Sequence, residues 1–312
     1  MREPLLMTSL VLTAAISLCA HRVESPHQSA EAQRPVFSSA ADLVVVHVTV
    51  TDRRGGYVTG LPRDAFRIRE DGVPQRIDFF SGDDSPVTVG LLVDSSASMR
   101  EGRERVLAAA MAFARASRRE DEFFGLAFNE RVRSALSPAA PFTSDPNAFR
   151  IALAGAMGAE GRTAMYDAIS TGLDYVATGS HPRQVLVLVG DGGDNASTTT
   201  VDQVLREAQA SNAAIYTVGV VDPLERDANP GFLKRLARAT GGGSFFPRRV
   251  DDVDSVLQAI ARDIRHSYTL GYVSSNPSTD GHLRRIQVAV TDAATGKPLV
   301  VRAREGYRAG GP

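Results

Sequence analysis

Alternating and continuous runs of apolar residues divide the chain into three zones. The first zone opens with a valine-rich run at 43–51, whose period of two is typical of a half-buried strand. Alternation resumes from Phe66 and again from Ile77, and glycine-containing turns separate these runs. We therefore expect residues 42–82 to form a β-meander with one polar face, which is too small to enclose a core by itself.

The middle zone alternates between uniformly apolar strands and amphipathic helices. Strands are predicted where apolar residues run together, and helices where they recur every three or four positions. This alternation indicates a mostly parallel sheet covered on both faces, which is the doubly wound α/β plan. The predicted strands lie at 87–93, 124–128, 184–189 and 214–220, and the predicted helices at 103–119, 146–154, 164–176, 201–210, 231–239 and 251–266.

The third zone returns to short alternating runs, and it begins where the α/β zone ends. Like the first zone, it holds too few strands for a core of its own. The simplest arrangement is one small β-sandwich that the N- and C-terminal strands build together, with the α/β domain inserted between them. The predicted divisions are an N-terminal β segment at 42–82, an α/β domain at 84–267 and a C-terminal β segment at 268–308 that pairs with 42–82.

An apolar run precedes the first zone. Arg2 is followed by apolar residues from Leu5 to Ala20 and then by a polar stretch. This pattern is typical of a secretory signal peptide at 1–20 with a linker at 21–41, and the run is short for a transmembrane helix. We therefore expect an exported protein of the periplasm, the cell envelope or the extracellular space.

The single cysteine, Cys19, lies inside the predicted signal peptide. A chain cleaved after Ala20 would hold no cysteine and no disulfide bond. Residues 16–19 resemble a lipobox, although Leu18 stands where a small residue is usual. Lipidation of Cys19 therefore stays open, and it is the only membrane attachment that we expect.

Composition changes this picture little. The 35 basic and 36 acidic residues leave a net charge of −1, so the overall charge gives no reason to expect nucleic acid as a partner. With 43% apolar and 23% charged residues, the chain is not disordered as a whole. All but two of the basic residues are arginines, and because they are scattered rather than gathered on one helix, we expect no functional role for this bias.

Carboxylates and hydroxyls lie where predicted strands and helices of the α/β zone begin or end. Asp94, Ser96 and Ser98 follow its first strand. Asp191 follows its third strand, and Thr163 precedes a helix. Since ligand sites form at the carboxyl ends of parallel strands, we expect these side chains to meet. Their hard oxygen atoms suit Mg²⁺, or Mn²⁺ or Ca²⁺, with water completing the coordination.

These residues occur in an order that resembles the metal-ion-dependent adhesion site (MIDAS) of von Willebrand factor type A (VWA) domains. The matching motifs are Asp-x-Ser-x-Ser at 94–98, Gly-x-Thr-Ala-x-Tyr-Asp at 161–167 and Asp-Gly at 191–192. The resemblance covers about residues 84–267. Flanking motifs such as Tyr-x-Leu-Gly-Tyr at 268–272 are similar to those of exported bacterial proteins in which a VWA domain lies within a β-rich frame.

The resemblance implies a VWA fold and a role for each matching residue. Ser96, Ser98 and Thr163 would contact the cation directly or through water. Asp94 and Asp191 would commonly act through water. The cation would keep one position open, and an Asp or Glu of a protein partner would fill it.

Other polar residues near these motifs have simpler interpretations. Asp167 is expected either on a helix surface or as a residue that supports the cation ligands, rather than as a ligand itself. Asp194 and Asn195 are expected to form a turn, although each could tune the cation site. The glycines at 241–243 are expected to end a helix rather than to hold phosphate, since no lysine–serine pair follows them.

Enzyme motifs are missing from the sequence. It contains no Gly-x-Ser-x-Gly, His-Glu-x-x-His, Walker loop or Gly-x-Gly-x-x-Gly motif, and its six histidines do not cluster. We therefore expect a non-enzymatic module of adhesion or assembly that binds a protein through its cation. Two alternatives stay open, namely a structural envelope protein whose metal only stabilises the fold, and a metal-assisted hydrolase.

Overall fold

The computed structural model of the chain contains the three zones that the apolar pattern indicates. The helices are α1 (Arg103–Ala116), α2 (Pro146–Ala156), α3 (Met165–Ala177), α4 (Val201–Ala210), α5 (Pro230–Thr240) and α6 (Val253–Arg265). The strands are β1 (Leu43–Thr51), β2 (Phe66–Glu70), β3 (Val73–Gln75), β4 (Phe79–Ser81), β5 (Thr88–Asp94), β6 (Glu122–Phe128), β7 (Val132–Ser134), β8 (Gln184–Gly190), β9 (Ala214–Gly219), β10 (Ser244–Phe245), β11 (Ser267–Val273), β12 (Leu283–Val290), β13 (Val300–Arg302) and β14 (Gly306–Arg308).

The structure describes most of the chain after residue 42. The predicted signal peptide at 1–20 with Cys19 and the linker at 21–41 lie outside the described residues. Within the described part, no helix combines the length and the apolar character needed to span a bilayer. The described residues are 43–82, 85–158, 161–220, 227–293 and 295–310.

The middle zone forms a six-stranded sheet in the order β10–β9–β8–β5–β6–β7. Neighbouring strands run parallel, except that the short edge strand β7 runs antiparallel to β6. All residues of β5 and β9 are buried, because α1, α2 and α6 cover one face of the sheet and α3, α4 and α5 cover the other. The predicted fold class, a doubly wound and mostly parallel α/β sheet, is confirmed.

The N- and C-terminal strands together form two four-stranded sheets, β13–β1–β11–β4 and β14–β12–β2–β3. We call this pair of sheets the frame. Leu43 of β1 lies opposite Val273 of β11, and Phe66 of β2 lies opposite Val290 of β12. Apolar side chains of both sheets share one core, so the expected sandwich of N- and C-terminal strands is present. That core includes Val46, Val48, Phe66, Ile68, Tyr268, Leu270 and Tyr272.

The expected β-meander within residues 42–82 is wrong. β1 and β4 belong to one sheet of the frame, whereas β2 and β3 belong to the other. The long β1 pairs on both sides with C-terminal strands, β11 and β13. A period of two shows which face of a strand is buried, but it does not show which strand lies beside it. The finer domain boundaries at 84 and 267 stay predictions.

A buried polar cluster crosses the core of the frame around Glu70. This side chain is 2% exposed, and the side chain of its ion-pair partner Arg284 is 4% exposed, with 3.1 Å between Oε1 and Nη1. The hydroxyls of Tyr272, Tyr307 and Ser274 donate to the same carboxylate at 2.8, 3.0 and 2.6 Å. Burial and the hydrogen bond to Glu70 raise the pKa of Tyr272, so that its hydroxyl stays a donor.

Buried Arg304 and half-buried Arg302 join the frame to the α/β domain. Arg304 donates to the carbonyl oxygens of Gln209 and Ser211 at the end of α4, where the helix dipole favours a cation. Arg302 of β13 forms an ion pair with Asp263 of α6. These contacts leave few unpaired polar groups at the junction, so the frame and the α/β domain are held by directional bonds as well as by apolar packing.

His47 lies at the same junction and is buried. Its Nε2 lies 3.1 Å from the carbonyl oxygen of Asn212, and its Nδ1 lies 3.2 Å from Oγ1 of Thr269. Burial and, to a smaller extent, the positive charges of Arg183 and Arg304 lower the pKa of His47 to about 3, and the hydrogen bond to Asn212 only partly opposes them. The folded protein therefore keeps this imidazole neutral at mildly acidic pH.

The low pKa of His47 predicts acid destabilisation. In the unfolded chain histidine titrates near ~6.5, so below that pH the unfolded state binds a proton that the folded state excludes. We expect the free energy of unfolding to fall by about 2 kcal/mol more between pH 7 and pH 5 in the wild type than in His47→Gln. Urea denaturation at the two pH values measures the difference. An equal pH dependence in both proteins would contradict this assignment.

Candidate metal centre

Two buried carboxylates lie at the carboxyl end of the central sheet. Asp94 is the last residue of β5, and Asp191 directly follows β8, which pairs with β5. Asp94 is 1% exposed and Asp191 is 7% exposed. A Cβ atom at Gly190 would lie 3.2 Å from Cβ and 3.4 Å from Oδ2 of Asp94, so the smallest residue stands where this carboxylate passes the neighbouring strand.

The surroundings of Asp94 disfavour its negative charge. Burial and, to a smaller extent, the charge of Asp191 raise the pKa of its carboxyl to about 6. Hydrogen bonds from Ser96 oppose this rise, and one of them is the Ser96 N–H donating to Oδ1 at 2.8 Å. Neither aspartate forms an ion pair with a described residue. A cation would neutralise a charge that the described part of the chain leaves uncompensated.

A tight turn fixes Asp191. Its Oδ1 accepts a hydrogen bond from the N–H of Gly193 at 2.8 Å, and its carbonyl oxygen accepts one from Asn229 at 3.2 Å. Gly192 has a φ of +90°, and a Cβ there would lie 2.5 Å from the carbonyl oxygen of Asn229. Only glycine fits this turn without strain. The turn therefore holds the carboxylate between the end of β8 and the start of α5.

Two of the predicted hydroxyl ligands lie at the same edge of the sheet. Ser96 and Thr163 are buried, and Ser96 precedes the 3₁₀ helix Ala97–Gly102. Ala164, next to Thr163, donates its N–H to the carbonyl oxygen of Asn129 just after β6, which brings Thr163 to the same edge of the sheet. The side chain of Ser98, the fifth predicted ligand, lies outside what the structure describes.

The donor set fits a small hard cation. Within the described ranges, no group of three or more His, Cys, Asp and Glu side chains is placed to hold a metal ion. Any cation at this edge would therefore combine two carboxylates with hydroxyls and water. Mg²⁺, Mn²⁺ and Ca²⁺ prefer such oxygen ligands, whereas the softer transition metals prefer nitrogen or sulfur.

The loop after Asp191 also fixes Thr163 through its backbone. Asn195 Oδ1 accepts a hydrogen bond from the N–H of Thr163 at 2.9 Å. In return, the carbonyl oxygen of Thr163 accepts hydrogen bonds from the N–H groups of Asn195 and Ala196, both at 3.0 Å. One loop thus supplies a carboxylate and positions a hydroxyl residue that comes from another segment.

The same loop caps α3. Ala164 at its N-cap position has no side-chain acceptor, and Asp194 Oδ2 accepts instead from the N–H of Tyr166 at 2.9 Å. Ser197 Oγ accepts from the N–H of Asp167 at 3.1 Å. The carboxylate of Asp167 in turn accepts from two N–H groups of the loop, those of residues 198 and 199. We call these reciprocal bonds the clasp.

The hydrogen bonds of this loop give Asp194 and Asn195 a larger role than the sequence predicted. Asp167 does not simply face solvent, and the turn that contains Asp194 and Asn195 holds a predicted ligand in place. Partial burial opposes ionisation of Asp167, but the hydrogen bonds from Thr198 and the next residue outweigh it and lower its pKa. The sequence signal was a helix that starts at an alanine and therefore needs its cap from elsewhere.

Removal of the Asp167 carboxylate should destabilise the contact between α3 and the loop after Asp191. In Asp167→Ala the N–H groups of residues 198 and 199 lose their acceptor. We therefore expect the free energy of unfolding in the presence of chelator to fall by about 1–2 kcal/mol. Urea denaturation measures this change. Asp174→Ala, on the exposed face of the same helix, is the matched control and should remain close to the wild type. Equal stability of the two variants would show that the clasp contributes nothing.

Comparison with known families matches the von Willebrand factor type A domain to residues 89–263, more than half of the chain. Comparison with curated proteins finds no match. Among solved structures, a protein described as von Willebrand factor type A from Catenulispora acidiphila has a TM-score of 0.51 at 15% identity, and the match covers 78% of this chain and 72% of that one.

A mussel protein gives a second match. Proximal thread matrix protein 1 from the mussel byssus has a TM-score of 0.50 at 13% identity, and the match covers 73% of this chain and 50% of that one. Another structure of it, described with a zinc-occupied MIDAS motif, has a TM-score of 0.48 at 12% identity, with 62% and 49% covered. The bacterial structure and the first mussel structure share their fold with this chain, and at such identities they show the fold alone.

Proposed function

The chain belongs to the von Willebrand factor type A family, and on this premise we propose that it is an exported module that binds a protein partner through a divalent cation. Domains of this family commonly mediate protein–protein interaction, and they often bind a divalent cation at the MIDAS. They are usually non-enzymatic modules of adhesion and assembly. The proposed ligands are Asp94, Ser96, Ser98, Thr163 and Asp191.

The observation that carries this proposal is the pair of buried carboxylates without a cationic partner among the described residues. Burial of one uncompensated carboxylate is already unfavourable, and two at one sheet edge repel each other. A fold under selection for stability alone would place an arginine or an uncharged residue there. A cation that belongs to the site explains why both charges are present.

Each residue of the site has a distinct task in this proposal. Asp94 and Asp191 supply the charge that attracts the cation. The N–H groups of Ser96 and Gly193 each donate to one carboxylate oxygen and so orient the two carboxylates. Mg²⁺, Mn²⁺ or Ca²⁺ bound here would offer a hard centre for an anionic oxygen atom. We propose that an Asp or Glu side chain of the partner supplies that oxygen.

Export is part of the proposal and is supported by the sequence alone. The apolar run at 5–20 has the length and the flanks of a signal peptide. Outside a cell or in a periplasm, a chain without a disulfide gains stability from a cation that binds only its folded form. Lipidation at Cys19 would add attachment to a membrane.

Chelator-sensitive capture tests the proposal. Immobilised protein is incubated with cell-envelope extract in Mg²⁺ or in chelator, in parallel with Asp94→Ala. We expect a partner that is retained only by the wild type in Mg²⁺ and that is lost when its own key Asp or Glu is replaced by Ala. Equal retention under all three conditions would show that the cation is at most structural and that the frame makes the contact.

A further inference from the structure

A groove of about 640 Å³ lies between α5 and the frame strands β12 and β14. Lys234, Arg235 and Arg238 of α5 line one side, and Arg285 of β12 lines the other. Glu305 is the one carboxylate in the described lining. The expectation that basic residues do not gather on one helix is therefore wrong for α5. The groove carries a strong local positive charge on a chain whose net charge is −1.

These four cations form no ion pair within the described part of the chain. Helix α5, residues 230–240, contains no Asp or Glu. The side chains of Lys234, Arg235, Arg238 and Arg285 are exposed and form no ion pair or hydrogen bond with a described residue. The Lys234 ammonium lies 5.1 Å from the centre of the Phe246 ring, which holds it without neutralising it.

Stability of α5 does not explain this arrangement. Arg238 lies in the last turn, where the helix dipole favours a cation, but Lys234 and Arg235 lie in the middle of the helix. The spacings of four residues between Lys234 and Arg238 and of three between Arg235 and Arg238 bring like charges together, which destabilises an isolated helix. A ligand of opposite charge would turn this repulsion into attraction.

The groove also offers an apolar contact and a link to the metal centre. Leu283 of β12 lies in its wall and is 45% exposed. Asn229, the N-cap of α5, donates its N–H to the carbonyl oxygen of Asp191. At a rise of ~1.5 Å per residue, Lys234 and Arg238 lie about 8 and 14 Å from Asn229 along the helix axis. One extended segment could thus touch the metal centre and continue along α5.

We propose that this groove binds an acidic segment of a protein partner, with Leu283 accepting an apolar side chain of that segment. This inference rests on the proposed function, because it takes the partner to be a protein. It adds that the partner carries further acidic residues besides the Asp or Glu that binds the cation. Charge complementarity attracts and orients the segment, and the charges of the groove are those of its own side chains, so binding to the groove does not require the cation.

A peptide probe tests the groove separately from the metal centre. The probe is a fluorescein-labelled peptide of eight glutamates around one leucine, titrated by anisotropy at low salt in chelator. We expect the double variant K234E/R238E to weaken binding at least about tenfold, equivalent to about 1.4 kcal/mol. The control R53E/R119E changes two exposed arginines outside the groove, alters the net charge equally and should stay close to the wild type.

Several readouts decide the outcome. Leu283→Ala retains all charges and should weaken peptide binding severalfold. If K234E/R238E does not melt like the wild type, Leu283→Ala provides the test of the groove instead. Asp94→Ala should bind the peptide normally, so failure of the metal proposal would leave this one standing. Equal losses in the two double variants, or binding of polyphosphate or anionic vesicles in preference to the peptide, would overturn the proposal.

Discussion

Glu70→Ala is expected to lower the free energy of unfolding by about 3–5 kcal/mol, the largest stability effect that we predict for a single substitution. The change removes the buried partner of Arg284 and leaves a guanidinium cation inside the frame without its carboxylate. The hydroxyls of Tyr272 and Tyr307 lose their acceptor at the same time. Unsatisfied donors and an unpaired charge both disfavour the folded state.

Urea denaturation of the full chain measures this effect, and Glu70→Gln is the matched control. Glutamine keeps the shape and an oxygen acceptor for the tyrosine hydroxyls but removes the charge opposite Arg284. We expect its stability to lie between those of the wild type and Glu70→Ala. A loss below about 1 kcal/mol in Glu70→Ala would show that water reaches the cluster and that Arg284 is not truly desolvated.

Mg²⁺ is expected to stabilise the wild type strongly and Asp94→Ala hardly at all. A ligand that binds only the folded state at a free concentration of 100 times its Kd raises the free energy of unfolding by about 2.7 kcal/mol. Asp94→Ala removes half of the formal charge of the site, so its cation affinity should collapse. Without metal the same variant should be as stable as the wild type or more so, because a buried charge beside Asp191 has disappeared.

Calorimetric titration and thermal melting across a range of Mg²⁺ concentrations separate these effects. Asp174→Ala removes an exposed carboxylate from α3 and should respond to Mg²⁺ like the wild type. The metal centre would be refuted by a wild-type melting temperature that does not change over the whole titration, together with the absence of binding heat. The same Mg²⁺ response in Asp94→Ala would place the cation elsewhere on the chain.

The apolar pattern located the long elements because each is long enough to repeat its period. Helix α4 occupies the predicted residues 201–210, and α2 begins at the predicted residue, Pro146. Pairing within the frame was not predictable in this way. Val46 and Val48 on β1 would be buried beside any neighbour, and the choice of β11 depends on residues more than 200 positions away.

The metal centre was predictable to a different extent. Asp94 and Asp191 stand in a recognisable order, and the sheet topology brings their strand ends together. Asn195 was not predictable as a positioning residue, because it acts on the backbone of Thr163 and any residue type there would offer the same N–H. The cationic groove was not predictable either, because Arg285 is far from α5 in the sequence and lies beside it only in the folded protein.

The antiparallel ladder of β1 and β11 has a mechanical consequence. The chain enters β1 at Leu43 and leaves the α/β domain into β11 at Ser267, and these residues lie at opposite ends of the ladder. A pull between the N-terminal side of β1 and a partner held by the α/β domain would slide the strands past each other. All the bonds between them would then bear the load together in shear, whereas a pull from one shared end would open them one by one.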